Sequence, residues 1–249
     1  TSDQGLVLEQ ASTNICLQSS TFGTTWAASF VTVTPDDLAD PAGGTTADKI
    51  NDADIGQMGE VSQVATVPQD ATWWTWSVYV DKDATTDRFP EFRLSINGGT
   101  AQYRYVQLNT STGASNTRSS LGDGYTRVYD AGTFWRVVIT LKNNNTASNT
   151  NANMEIFPAF ASTLGGAGDV AETGFIHAWG SQLENLPFAT SYIPTTTTSQ
   201  TRNADQAAIH LPHNYLKHSH DLGQVSTLTP AGPWVVRGSA APTRNGVTS

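Results

Sequence analysis

Residues 73–81 read WWTWSVYVD, and the alternation along them decides the fold class. Successive side chains of an extended strand point to opposite faces, so Trp74, Trp76, Val78 and Val80 share one side and Trp73, Thr75, Ser77 and Tyr79 the other. The first set is expected to face a core, which leaves Trp73 and Tyr79 free for another task. FWRVVITL at 134–141 repeats the pattern, with Trp135, Val137, Ile139 and Leu141 on the apolar side and Phe134, Arg136, Val138 and Thr140 opposite.

Outward from these two segments, the runs 6–9, 29–34, 46–51, 61–67, 92–97, 103–109, 125–130, 153–161 and 174–183 also read as strands. Each is short, rich in β-branched or aromatic residues, and bounded by Gly, Pro, Asp or Asn. No helical run of comparable strength stands among them, so the expected fold class is all-β, a two-sheet antiparallel β-sandwich. Asn97-Gly98-Gly99 between FRLSI and AQYRYVQL is a hairpin signal, since positive φ is needed there to match strand twist. The Asn-rich stretch 143–153 is expected to be an exposed polar loop, and Gly165, Gly166 and Gly168 mark a second loop. Beyond residue 205 the character changes: 209–249 holds four of the five histidines and four prolines, with no alternating run before 234–237. The expected organisation is therefore a sandwich over 1–205 and an extended arm over 206–249, which buries too little apolar surface to order by itself and serves docking or oligomerisation.

Composition excludes several classes of function. The 249 residues carry 22 acidic against 13 basic side chains, a formal charge of −9 that repels a phosphate backbone, so no nucleic-acid partner is expected. No apolar run is long enough to span a bilayer, and the first residues lack the layout of a signal peptide, so a soluble chain without membrane insertion is expected. Cys16 is the single cysteine, which forbids an intrachain disulfide and reads as a buried apolar thiol, compatible with folding in a reducing cytoplasm.

The stretch 179–205, WGSQLENLPFATSYIPTTTTSQTRNAD, reads as an apolar strand, a turn at 185–187, an aromatic-anchored segment and a Thr-rich arm. It resembles the end of the concanavalin-like (jelly-roll) carbohydrate-binding modules of bacteriophage tail fibres, head fibres and tailspikes. The opening LVLEQASTNICLQSSTFGTTWAASFVTVT at 6–34 is similar to that family's first strand, Asn turn and Trp-bearing loop, and GGTTADKI, WTWSVYV and FWRVVITL follow in the family's order. The resemblance spans roughly residues 6 to 205. It implies a non-catalytic virion protein, assembled in the host bacterial cytoplasm and displayed on the virion surface, that attaches the particle to host cell-surface polysaccharide. Other virion proteins and a homotrimeric assembly are the implied partners, because avidity compensates for weak single sites. A structural capsid decoration or head-fibre protein, docked through the arm, is the alternative, and a glycan-degrading depolymerase is a third reading.

Against the depolymerase stands the absence of any Glu-x-Asp-x-Glu alternation. Glycosidic cleavage needs two carboxylates about 5–10 Å apart, and Glu9, Glu60, Glu91, Glu155, Glu172 and Glu184 are scattered singly. There is also no Gly-x-Ser-x-Gly elbow or phosphate loop. Sugar binding asks instead for exposed aromatic faces beside planar polar groups. Trp26, Trp73, Tyr103, Tyr105, Tyr125 and Tyr129, with Arg93, Arg104, Arg136 and Gln182 as companions, have those chemistries. The expected binding set is Trp26, Trp73, Arg93, Tyr103, Tyr105, Arg136 and Gln182, with core packing or cross-strand pairing the competing reading of each aromatic. In Tyr103-Arg104-Tyr105 both rings share one face, either as a sugar platform or as a ladder against Phe92 and Leu94.

The family resemblance also implies a structural calcium ion tying the first and last strands, for which Glu9, Asp48 and Asp205 are the oxygen ligands at suitable places. His218 and His220 point the same way in an extended segment, so three chains around an axis would offer six nitrogens to one metal ion. Solvated or packing histidines are the competing reading.

Overall fold

The computed structural model describes residues 8–84, 88–146 and 148–206. Among them there are fourteen strands and no helix. In chain order these are β1 Ser12–Asn14, β2 Ala27–Ser29, β3 Val31–Leu38, β4 Ala47–Asp52, β5 Glu60–Thr66, β6 Trp73–Asp81 and β7 Phe89–Asn97. They continue with β8 Gln102–Leu108, β9 Ser115–Leu121, β10 Gly124–Ala131, β11 Phe134–Lys142, β12 Asn151–Ala161, β13 Gly174–Glu184 and β14 Gln200–Arg202. Two six-stranded antiparallel sheets face each other, β10-β11-β6-β13-β4-β3 and β2-β5-β12-β7-β8-β9, and β1 pairs with β14 apart from both.

The core lies between the sheets, where the alternation places it. Trp74, Trp76, Val78 and Val80 of β6 meet Phe92, Leu94 and Ile96 of β7, with Val137, Ile139 and Leu141 of β11 beside them. Trp76 is fully buried and its indole donates to Ser181 Oγ at 2.9 Å, so its polar atom is satisfied inside. Burial of a ring of this size stabilises by roughly 3 kcal/mol. Cys16 is buried in the same cluster, as a small apolar residue.

The chain passes between sheets at both lateral sides. Phe30, at φ +56°, is the only residue separating β2 of the second sheet from β3 of the first, and it breaks the run 29–34 that alternation reads as one strand. On the other side the turn at Gly122 and Asp123 joins β9 to β10. Gly122 has φ +94°, and a Cβ there would run into the Gln102 side chain.

Two local features set which side chains point outward from the first sheet. At Gly180, φ +65°, β13 carries a one-residue bulge: Trp179 pairs with Tyr79, but Gln182 pairs with Ser77. The extra residue flips the parity, so Ile176 and Ala178 point into the core before it and Leu183 after it, while Gln182 and Glu184 turn outward. Residues 185–196 then fold back as a strap across that outer face. Thr75 Oγ1 donates to the Leu186 carbonyl at 2.7 Å, Ile193 N donates to Gln182 Oε1 at 2.6 Å, and the Tyr192 ring packs 4.4 Å from Trp179. Thr75, Ser77, Thr140, Gln182 and Glu184 are consequently buried although they face away from the core.

Two expectations are corrected, and two elements were not anticipated. The described part of 6–9 is not a strand, and pairing begins at Ser12. The polar, edge strand β9 and the short β1–β14 pair had no apolar alternation to announce them. The Asn-rich loop is exposed at Asn145, Thr146 and Ser148, as expected, but it ends where β12 begins at Asn151 and is pinned from within: Asn143 and Asn149 are buried, Asn143 Nδ2 donates to Pro68 O at 3.1 Å, and Asn149 Oδ1 accepts from Gly99 N at 2.8 Å. It clamps the 97–101 hairpin, which forms as the Asn-Gly-Gly signal requires. The first compact unit closes at Asp205, and the arm proper, with His218 and His220, lies outside the described residues.

Candidate functional site

The strap does not cover the whole outer face of the first sheet. Between it and the edge strand β10 an open groove of about 320 Å³ remains, lined by Tyr79, Tyr125, Tyr129, Arg136, Val138 and Phe188 among others. Register places them there. Tyr129 pairs with Arg136, and Arg136 with Tyr79, so three strands contribute outward side chains in one row, while Tyr125 lies four residues along β10 on the same face. Phe188 comes from the strap, which Tyr125 fastens by donating its hydroxyl proton to the Pro187 carbonyl.

Arg136 is held from below. Its Nη2 donates to Ser77 Oγ at 2.8 Å and to the Thr190 carbonyl at 2.7 Å, and its guanidinium lies 5.1 Å from the Tyr79 ring centre. Its Nε is covered and has no hydrogen-bond partner. Tyr129 and Phe188 are 51% and 45% exposed, so each keeps ring surface open to the groove. The one acidic residue in the lining, Asp130, has its carboxylate bound by Lys82 at 2.6 Å and Gly132 N at 3.0 Å. The arrangement can take a small ring with an apolar face against the aromatic walls and a polar substituent against a fixed guanidinium. A larger hollow of about 510 Å³ beside Leu17, Gln63 and Thr198 contains neither an aromatic ring nor an ionised group.

Tyr103, Tyr105 and Arg93 are brought together elsewhere, on the outer face of the second sheet. Ser95 and Arg93 stand across from the two tyrosines, whereas Phe92 and Leu94 point into the core, so the ladder with those two does not form. The rings stack on each other at 4.9 Å with 25° between planes, and Arg93 lies 4.8 Å from the Tyr105 ring. Tyr105 therefore spends one ring face on Tyr103 while a guanidinium lies close to it, and a sugar needs free faces. The same sheet face gathers Glu60, Glu91 and Glu155, which looked isolated in sequence. Glu91 is fully buried and bound by Arg93 and Arg118, while burial and then the neighbouring Glu60 charge push Glu155 above the usual carboxylate range. Only the strand register, which brings β12 between β5 and β7, reveals that cluster.

The other residues of the expected set divide. Trp26 is a core residue, 5% exposed and 4.9 Å from the Phe22 ring. Gln182 is buried beneath the strap, where it donates to the Ser191 carbonyl and accepts from Ile193 N. Neither has a surface to offer a ligand. Trp73 is half-buried at the start of β6, with the Lys142 ammonium 5.8 Å from its ring, away from the groove. Arg136 alone of the expected set lines the groove; Tyr125 and Tyr129 carried the right signal, and Phe188 had only its place in an aromatic-anchored segment.

The three proposed calcium ligands do not form one oxygen cage. Glu9 and Asp205 meet, through Glu9 N donating to Asp205 Oδ2 at 3.0 Å, but Glu9 is ion-paired with Arg202. Asp48 uses both oxygens to accept backbone N–H groups of Phe22 and Asp36 inside the first sheet. Among the described residues no group of three or more His, Cys, Asp or Glu side chains is arranged to hold a metal.

No protein-family model matches the chain, and no curated protein does. Among solved structures, it is similar to TmCBM27, a carbohydrate-binding module described for specific mannan recognition, at 11% identity and a TM-score of 0.36, over 72% of this chain and 97% of that one.

Proposed function

We propose that the chain is a non-catalytic glycan-binding module and that the groove between Tyr129 and Phe188 holds the sugar. The observation that carries the reading is the pair of exposed aromatic rings lining one groove with an arginine fixed by Ser77 and Thr190. Pyranose rings present apolar C–H faces and hydroxyl edges, and this pairing of ring and guanidinium meets both. The sequence resemblance to phage fibre and spike modules supports a virion setting for the activity, in which it would attach the particle to host polysaccharide. Assembly as a trimer, with residues 206–249 docking on other virion proteins, would multiply a weak site into useful attachment.

Glycan-array binding by the full chain tests the proposal, with Tyr129→Ala and Phe188→Ala as variants. Each substitution is expected to weaken retention about tenfold, the equivalent of about 1.4 kcal/mol for one lost stacking partner. Absence of retention on every glycan, or retention indifferent to both substitutions, would refute it. Release of reducing ends from a retained polysaccharide would show a depolymerase instead.

A further inference from the structure

We infer that the groove selects a sugar carrying a carboxylate, such as a uronic acid residue, over its neutral counterpart. This rests on the groove being the glycan site and adds the charge of its ligand. Charge is unevenly matched in this chain. The sequence has 22 acidic side chains for 13 basic ones, so a countercharge is easily supplied. Arg88, Arg93, Arg118 and Arg202 each have one, bound by Asp83, Glu91, Glu91 and Glu9. Among the described residues two half-buried arginines, Arg104 and Arg136, have no carboxylate partner, and of the two Arg136 lines the aromatic groove.

A guanidinium stays charged at every accessible pH. Withdrawing it from water without a countercharge is costly, and ordinary packing would place an acid beside it or a neutral residue in its stead. Its partners are neutral: a serine hydroxyl and a backbone carbonyl fix its position without offsetting its charge, and the Tyr79 ring adds only a quadrupole. Nε remains unpaired. The sole acid in the lining, Asp130, is already neutralised by Lys82. Exposed Arg127, 5.5 Å from the Tyr125 ring centre on the same face of β10, adds a second cation with no acidic partner among the described residues. The groove thus combines aromatic walls that take a ring with a net positive field that takes an anion. With both Nη2 protons engaged and Nε covered, Nη1 is the guanidinium nitrogen left to meet a carboxylate on the ring of the sugar.

The test immobilises a panel of acidic polysaccharides, each beside its carboxyl-reduced form, in which –COO⁻ has become –CH2OH on the same ring. The full chain is expected to bind at least one acidic form at least tenfold more tightly than its reduced twin. That preference should shrink as salt rises from 50 to about 300 mM, since the groove is open to solvent. Arg136→Gln is expected to abolish the preference, and Arg127→Gln, on an exposed side chain, to reduce it even where Arg136→Gln impairs folding. Equal retention of acidic and reduced forms, with Tyr129→Ala still weakening both, overturns the charge inference and leaves the groove as a glycan site. Preference for sulfated over carboxylated chains also overturns it. Retention of no polysaccharide, or retention of both forms untouched by Tyr129→Ala, sinks both readings together.

Discussion

Replacing Glu184 with alanine should loosen the strap and empty the groove without touching any residue that lines it. Glu184 is fully buried under the strap. Its carboxyl accepts from Ser12 Oγ at 2.6 Å, from Thr190 N at 3.0 Å and from Thr190 Oγ1. Alanine removes all three acceptor contacts, and the Thr190 N–H, buried in the same place, is left without a partner. A hydrogen bond to a charged or buried carboxyl is worth about 1.5–3 kcal/mol, and a stranded buried donor costs about 1–3 kcal/mol. Allowing for overlap between these terms, a total loss of about 3 kcal/mol is expected. For a domain of this size that corresponds to a fall of about 6–12 °C in Tm. Because the Thr190 carbonyl also holds Arg136 at 2.7 Å, binding should weaken more than stability alone predicts. Urea unfolding followed by tryptophan fluorescence, together with retention on an immobilised glycan, reads both effects. Glu184→Gln keeps one acceptor oxygen and should lose about half as much. If Glu184→Ala melts within a degree of the parent and binds equally well, the strap is not held as described. If it keeps its fold and its binding but loses a hydrolytic activity, the residue is catalytic.

Two further outcomes follow from buried titratable groups. His177 lies between Asp81, at 3.2 Å from Nδ1, and Asp37, at 2.9 Å from Nε2; the Asp81 hydrogen bond foremost, opposed by burial and helped by Asp37, raises its pKa above the usual 6.5. Its stabilising contribution is therefore complete below pH 6.5 and lost as the pH rises through the folded-state value, so urea midpoints should decline above pH 6.5 in the parent and decline less in His177→Gln; parallel curves would disprove the linkage. Burial pushes the Cys16 thiol up to about 12, so the native chain should leave an aromatic disulfide reagent unconsumed at pH 8 and react only once urea is added, whereas rapid native labelling would show that the first segment opens.

Much of the scaffold was legible because it is governed by neighbours in sequence. The bounds of β6 are those that alternation assigns, 73 to 81, and the inward residues of β6 and β11 are the ones the pattern selects. What escaped was decided by contacts between distant segments. Gln182 looked like an outward polar group on a strand; the Gly180 bulge did turn it outward, but the returning strap then buried it. Trp26 sits in a stretch rich in Gly and Thr that reads as a loop, and only packing against Phe22 makes it core. For β9, SNTRSSL offers no apolar alternation, because an edge strand next to the Tyr103–Tyr105 pair needs no inward hydrophobic row. Tyr103 and Tyr105 did share a face, as period two demands, yet sequence could not tell whether their rings would turn toward a ligand or toward each other.

The groove itself explains why a strap was needed. Outer faces of a sandwich are nearly flat, and a flat face buries too little of a small ligand to hold it. Along β6 and β13 the strap removes that face from use, turning Thr75, Gln182 and Glu184 into anchors. Between its bonds to Tyr125 of β10 and Arg136 of β11, the same segment becomes a wall, with Phe188 lining the groove and the Thr190 carbonyl bracing Arg136. Anchoring and recognition are therefore carried by adjacent residues of one segment. A substitution that relaxes the anchors must also displace the arginine, which is why affinity and strap stability are expected to fall together across a series of Ser12, Thr75 and Glu184 variants, rather than independently as they would if the groove were a property of the sheet alone.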